Sequence, residues 1–335
     1  MFTKKSDALR FKRRLEYELE TDQWIDPTLG STAFSPWARE WLSTRAHLKP
    51  KTREGYESLL NSQVLPAFGD SRLKAVRPLD VDRWVSEMET NGLSASRIRQ
   101  AVSLFKLIMD AAVRNLMIAR NPAEGVNLPK KTPREMQYLN GSEIERLADA
   151  VPERYSTLVY VLAYCGLRAG EATALKRARV NLLQSELLIA EAATEVHGAL
   201  VFGETKNRAH RTVALPKFVR EALDSHMHRF TRPQPDSLVF STDEGTPLRL
   251  SNFRNRVWKP ALHRAELNDG LRIHDLRHTA ASLLITSDIH PKVVQEHLGH
   301  SSITTTMDRY GHLYPEARIK VAEALDSLHT DSASG

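Results

Sequence analysis

Three stretches near the C-terminal end carry residue types suited to reaction rather than packing. They are His274-Asp275-Leu276-Arg277-His278-Thr279, Leu298-Gly299-His300-Ser301-Ser302 and Thr306-Met307-Asp308-Arg309-Tyr310-Gly311-His312. His274 and His278 are four residues apart, which puts both imidazoles on one face of a helix with Arg277 between them. Upstream, Gly166-Leu167-Arg168-Ala169-Gly170-Glu171 offers a second arginine at a helix head, where backbone N–H groups favour an anion. A guanidinium donates in pairs and keeps its charge. A phosphodiester under attack gathers charge on its nonbridging oxygens, so two such cations would suit it. Tyr310 offers a phenol, protonated at neutral pH with a pKa of ~10, that is able to form an ester and retain its bond energy.

Other chemistry fits parts of the pattern. His274 to His278 imitates the zinc motif His-Glu-x-x-His with Asp in place of Glu, which would make a metallopeptidase. An arginine inside the motif sits badly beside a dication, and zinc would leave Arg168, Lys206 and Tyr310 without a task. Arg168 has Glu171 at i,i+3 as an ordinary ion-pair partner, although its apolar neighbours Tyr164 to Leu167 disfavour a plain surface pair. A tyrosine on an amphipathic helix is more often core than nucleophile, and a hairpin lysine is usually only solvated.

Taken in order with Thr205-Lys206 and Arg211-Thr212-Val213, these stretches resemble the tyrosine recombinases, the integrase family that cuts and rejoins DNA through a phosphotyrosine. The resemblance covers roughly residues 34 to 328. It implies that Arg168 and Arg277 clamp the phosphate, that Tyr310 is the nucleophile, and that Lys206 protonates the leaving 5′ oxygen. His274 would aid proton transfer, His278 would be structural, and His300 would hydrogen-bond the phosphate. No metal and no cofactor are implied. The implied partners are double-stranded DNA attachment sites, three further copies of the chain in a synaptic homotetramer, and a host DNA-bending factor or an excisionase. A regulator that binds DNA without cutting it is the remaining alternative.

The elements that would position these residues read as mainly α with one small antiparallel β-sheet. Residues 1–30 read as an N-terminal helical extension, a possible remnant of an arm-binding module, with an amphipathic helix over 4–24. Residues 31–127 show helical periodicity throughout: Phe34 to Leu42, a helix capped by Thr52, Leu79 to Met88, and a helix begun by Ser94 whose apolar positions run from Ile98 to Val113. This resembles the family's core DNA-binding domain. Lys49, Lys51, Thr52, Arg53, Arg97 and Arg99 lie near its helix starts and are its candidate DNA contacts. Residues 128–136, with Pro129, Pro133 and three cations, read as a linker. Residues 137–335 read as a mixed α/β catalytic domain. Asn140 or Ser142 opens it as a helix cap, Gly166 stops an apolar helix, and short strand runs between 180 and 215 predict a three-stranded sheet with Lys206 near a hairpin tip. Helices follow at 217–229, 251–265, 274–286, 291–298, 303–309 and 315–328, with Ser287-Asp288 forming a left-handed turn where many relatives carry glycine.

Composition agrees with this reading and excludes others. The chain of 335 residues has a net charge of +6, and residues 1–130 hold most of the excess with 21 Lys and Arg against 16 Asp and Glu. Basic surface draws polyanions by counterion release. The single cysteine, Cys165, excludes an intramolecular disulfide and a cysteine-rich zinc site. No run approaches the ~20 apolar residues of a membrane span, and the start resembles no signal peptide, so a cytoplasmic protein is expected.

Overall fold

The computed structural model describes residues 28–131, 135–204 and 210–311, with 5, 6, 9, 10, 12, 13 and 16. The expected N-terminal helix, Lys206 with its turn, and the 315–328 helix lie largely or wholly outside these. Two compact units are present, Met1–Arg134 and Glu135–Gly335.

The first unit is helical. Its helices are α1 (Phe34–Ser43), α2 (Pro50–Leu59), α3 (Leu65–Phe68), α4 (Pro78–Thr90) and α5 (Ala95–Arg114). Ser94 caps α5 by accepting from the Arg97 amide, as its type and position predict. Thr52 does not cap α2, which starts two residues earlier at Pro50 with Lys49 as the capping position. Proline needs no helical N–H partner at that first position and carries a helix-compatible φ, so it outweighs the threonine signal. A turn of π-helix, Leu60–Val64, joins α2 to α3 just ahead of Pro66. Proline lacks the donor and crowds the carbonyl of the preceding turn, and a wider turn relieves both. The periodic apolar faces meet in a core around Phe34, Phe68, Trp84 and Phe105, with the Phe34 and Phe105 rings stacked at 5.4 Å.

The second unit is built on α7 (Glu153–Tyr164), whose apolar length packs against α6 (Gly141–Ala150), α9 (Lys217–Phe230) and α12 (Asp275–Thr286). Asn140 and Glu143 form the capping box of α6. The remaining helices are α8 (Ala169–Thr173), α10 (Leu250–Phe253), α11 (Lys259–Arg264), α13 (Pro291–Leu298) and α14 (Ile303–Tyr310). The expected 251–265 helix is broken by a π turn, Arg254–Trp258, again just ahead of a proline, Pro260.

The expected three-stranded antiparallel sheet is present, and a two-stranded one that was not expected accompanies it. The strands are β1 (Val180–Asn181), β2 (Glu186–Ile189), β3 (Glu191–Val196), β4 (Ala199–Glu204) and β5 (Arg211–Ala214). They form two sheets, an antiparallel β1-β2-β5 and a separate β3-β4 hairpin. The hairpin turn is His197-Gly198, both with positive φ, which matches the twist of the strands it joins. β2 pairs with β5, forward in sequence, because Leu187, Ile189 and Val213 are the alternating residues that bury on the main core. β4 is largely exposed and stays with β3.

Candidate active site

Arg168 owes its position to Gly166. α7 ends at Tyr164, and Gly166 reverses the chain at φ +64. A Cβ at Gly166 would stand 2.6 Å from Leu298 Cδ2, so the glycine also lets α13 approach. Arg168 then caps α8, and Glu171 reaches back to it. The Glu171 carboxylate accepts from the Arg168 amide at 2.9 Å and from its guanidinium Nη1 at 2.8 Å. Arg211, the first residue of β5, donates to the same carboxylate through Nη1 and Nη2 at 3.1 and 2.7 Å, and its Nε donates to the His297 carbonyl at 3.1 Å. Glu171 is therefore a buried anion gripped by two arginines from different elements.

Arg277 is buried on α12 and ties down the two turns beside it. Its Nη1 donates to the Gly166 carbonyl at 2.6 Å and its Nη2 to the Leu298 carbonyl at 2.5 Å. Arg168 Nη2 crosses to the Gly299 carbonyl at 3.1 Å. Gly299 ends α13 in the left-handed conformation, where a Cβ would meet Arg211 Cδ at 2.9 Å. The arginine on each side thus fixes the loop that presents the opposite residues.

The aromatic side of the site lies between α12 and α14. His300 Nδ1 shares a hydrogen bond of 2.9 Å with Thr306 Oγ1 on α14, and its ring stacks on that of Tyr310 at 6.4 Å. The Tyr310 hydroxyl lies 2.6 Å from His278 Nδ1. The Tyr310 ring itself is in the apolar cluster of Ala281, Ile285, Val294 and Leu298 and is 1% exposed. His274, at the head of α12, is solvent-exposed and meets His278 edge to face at 5.0 Å.

Charge around these rings is unbalanced. Burial would raise the Glu171 carboxyl, but the hydrogen bonds and charge of Arg211, then of Arg168, outweigh it and bring it to about 2. Burial, then Arg168, pulls the Arg277 guanidinium down to about 9, which leaves it cationic at neutral pH. Burial, then Arg277 and Arg168, takes His300 to about 3. Burial takes His278 to about 4 against the opposing Asp275. His274 is lowered too, first by crowding of protein atoms despite its exposed edge, then by His278 and the arginines. Burial pushes the Tyr310 hydroxyl up to about 12, with Arg277 and Arg309 opposing. Three neutral histidines with Arg168, Arg211, Arg277 and Arg309, against Glu171 and an Asp275 already paired with Arg272, make a site that an incoming anion would stabilise.

A stability test follows from Glu171. Its pKa is depressed by folding, so the stabilisation is full above the ordinary carboxylate range and is lost as pH falls from about 5 towards 2, an amount of roughly 3 kcal/mol. Glu171→Gln leaves two arginines without their counter-charge and should cost about 3–5 kcal/mol at neutral pH. Urea unfolding of both chains at neutral pH and near pH 3 checks this, with the gap between them narrowing in acid. An unchanged gap would remove Glu171 as the charged hub.

Comparison with known proteins settles the family. Residues 137–317 match the model of the phage integrase family, and residues 33–88 match a phage integrase N-terminal SAM-like domain. The chain belongs to the phage integrase family. It is a site-specific DNA recombinase of the tyrosine type, working in integration or excision of mobile elements. The integrase of Mycobacterium phage L5 is 26% identical over 92% of this chain and 85% of that protein. The ICEBs1 integrase of Bacillus subtilis is 26% identical over 84% of this chain and 78% of that protein. Among solved structures, the Tn1549 transposon integrase in complex with a circular intermediate DNA superposes with a TM-score of 0.78 at 18% identity, covering 88% of this chain and all of that one, and so shares the fold.

Of the residues singled out from the sequence of this recombinase, the structure brings Arg168, Arg277, His300 and Tyr310 together and leaves His274 at the edge. Lys206 falls between β4 and β5, outside the described residues. The DNA-contact candidates are all in the first unit. Lys49 and Thr52 are exposed; Lys51 pairs with Glu54 at 2.6 Å and Arg53 with Glu57 at 3.2 Å, exchangeable surface contacts. Arg97 donates to the hydroxyls of Ser58 and Ser62, and Arg99 to the carbonyls of Pro129 and Leu128, so Arg99 holds the start of the linker. Sequence reasoning named Arg211 only as part of a pattern and missed its pairing with Glu171. It also read His278 as a satisfied structural histidine; the ring is buried and bonded to the Tyr310 hydroxyl, a partner that spacing does not reveal. For His274 and His278 as a zinc pair the described residues supply no third ligand, since no group of three His, Cys, Asp or Glu among them is arranged for a metal.

Proposed function

We propose that Tyr310 attacks a DNA phosphate held by Arg168, Arg277 and His300, leaving a 3′-phosphotyrosyl link and a free 5′-hydroxyl. The observation that carries this reading is the locking of both arginines to the Gly166, Leu298 and Gly299 carbonyls beside the Tyr310 and His300 rings. Guanidiniums fixed before the reaction cost no reorganisation when charge develops on phosphate oxygens. With His300 Nδ1 on Thr306, its Nε2 is the ring nitrogen left for the phosphate. Lys206 is assigned to protonate the leaving 5′ oxygen and His274 to exchange protons at the open mouth. No metal or cofactor has a task in this scheme.

The same reading assigns residues 31–127 to a core DNA-binding domain, 128–136 to the linker and 137–335 to catalysis. Lys49, Lys51, Thr52, Arg53 and Arg97 would meet backbone phosphates, with Arg99 fixing the linker. Strand exchange needs four active sites on two duplexes, hence a homotetramer on paired attachment sites, with a host DNA-bending factor or an excisionase setting direction. The reaction belongs in the cytoplasm, on the nucleoid; among the described residues no helix is long and apolar enough to cross a membrane.

The experiment is cleavage of a duplex carrying attachment-site DNA in the presence of EDTA. A detergent-resistant protein–DNA complex should form undiminished, and its released strand should carry a 5′-hydroxyl that a kinase can label. Cleavage abolished by chelation and restored by zinc would favour the metal reading, and binding without any cleavage would favour a regulator.

A further inference from the structure

The proton that Tyr310 loses on attacking phosphorus needs an acceptor. The resemblance points to His274 for proton transfer, but the geometry does not connect His274 to Tyr310. Among the described residues the ring contacts of Tyr310 are with His278 and His300, and its hydroxyl meets His278 Nδ1 at 2.6 Å. His300 Nδ1 is engaged by Thr306. His274 meets His278 edge to face, and among the described residues no hydrogen bond or ring contact joins it to Tyr310. His278 is itself buried on α12, in register directly after Arg277. A helix held by the Arg277 bonds to two separate turns is a firm mount for an acceptor that must be within about 2.6–3.2 Å of the proton it takes.

We propose that His278 is a catalytic residue, the base that takes the Tyr310 proton as the phenolic oxygen bonds to phosphorus and returns it when the strand is rejoined. This rests on Tyr310 being the nucleophile. In cleavage the Tyr310 Oη–P bond forms and the P–O5′ bond breaks. The phenolic proton passes to His278 Nδ1, and the 5′ oxygen takes a proton from the acid assigned to Lys206. In rejoining the 5′-hydroxyl returns its proton to that acid and attacks phosphorus. The Oη–P bond breaks, and the departing phenolate recovers its proton from His278.

The surroundings suit the role. The groups that act on His278 are His274, Asp275 and Arg277 on its own helix, Arg272 just before it, and Arg309 on α14; His300 also feels its charge. The groups acting on the phenol are Arg277, Arg309 and Tyr138. The imidazole is therefore neutral and able to accept at neutral pH. With the phenol held high, the proton stays on Tyr310 until phosphorus draws charge from the oxygen.

The test is the pH dependence of single-turnover covalent complex formation for the full chain and for His278→Leu and His278→Asn. Asparagine keeps an acceptor near the Nδ1 position but is not a base, so it also decides the matter if the leucine variant fails to fold. The unmodified chain should be nearly flat from about pH 6 to about pH 9. Both variants should be about 10²- to 10⁴-fold slower near neutrality with DNA affinity unchanged. Their rates should then climb about tenfold per pH unit, because hydroxide must ionise the phenol. A deficit equal at every pH would make His278 a packing residue, and a faster variant would make it a latch that stores the nucleophile; either overturns the proposal. A pH slope in His274→Asn with none in His278→Asn would give the proton to His274. Failure of the underlying reading is separately visible, as covalent complex that persists in Tyr310→Phe.

Discussion

Arg277→Ala should cleave DNA about 10²- to 10³-fold more slowly than the unmodified chain, the loss typical of removing one fixed donor from a developing oxyanion. The effect has two sources. One guanidinium leaves the phosphate site, and the Gly166 and Leu298 carbonyls that it held lose a buried donor, each at about 1–3 kcal/mol. Arg277→Lys separates them. Lysine keeps a cation but has no planar fork to span two carbonyls, so it should recover charge without the locked turns and remain well below the unmodified rate. Binding of the DNA, which rests on many phosphate contacts, should change far less than cleavage. Rates of covalent complex formation, set beside thermal unfolding of each variant, check this. An Arg277→Ala rate within a few-fold of the unmodified chain would remove Arg277 from the phosphate site.

How much of this was legible depended on the range of the interaction. The helix from Ala95 to Arg114 and its Ser94 cap follow from periodicity and one hydroxyl, which are local. The left-handed turn at Asp288, with φ of 60, follows from the same kind of reasoning, since aspartate tolerates that conformation better than most residues. Arg168 at a helix head after Gly166 was readable because the glycine and the next helix are adjacent in sequence. The split into two sheets was not, because β2 takes β5 rather than β3 as its second partner by which alternating residues reach the core. The π turns were missed because Pro66 and Pro260 change the winding without ending the helical pattern. In the site, the Glu171–Arg211 pair joins residues forty apart and the His278–Tyr310 bond joins residues thirty-two apart. Spacing within a helix says which residues share a face, and it is silent on what folds over that face.

Tyr310 presents the sharpest case, because both of its readings have support in the structure. Its ring is core, buried among Ala281, Ile285, Val294 and Leu298, and its hydroxyl is polar chemistry, held by His278. Tyr310→Phe separates the two. The ring and its packing remain, at the cost of about 1–3 kcal/mol for the acceptor left unpaired on His278. The variant should therefore fold and bind attachment-site DNA, while covalent complex formation disappears altogether.

The decisive measurement is to trap the covalent complex on a duplex nicked so that cleavage cannot reverse, digest it, and locate the nucleotide-bearing residue by mass spectrometry. The account predicts a single adduct on the Tyr310 side chain and none from Tyr310→Phe bound to the same DNA. DNA attached to any other residue, or an adduct of normal yield from the phenylalanine variant, would contradict it.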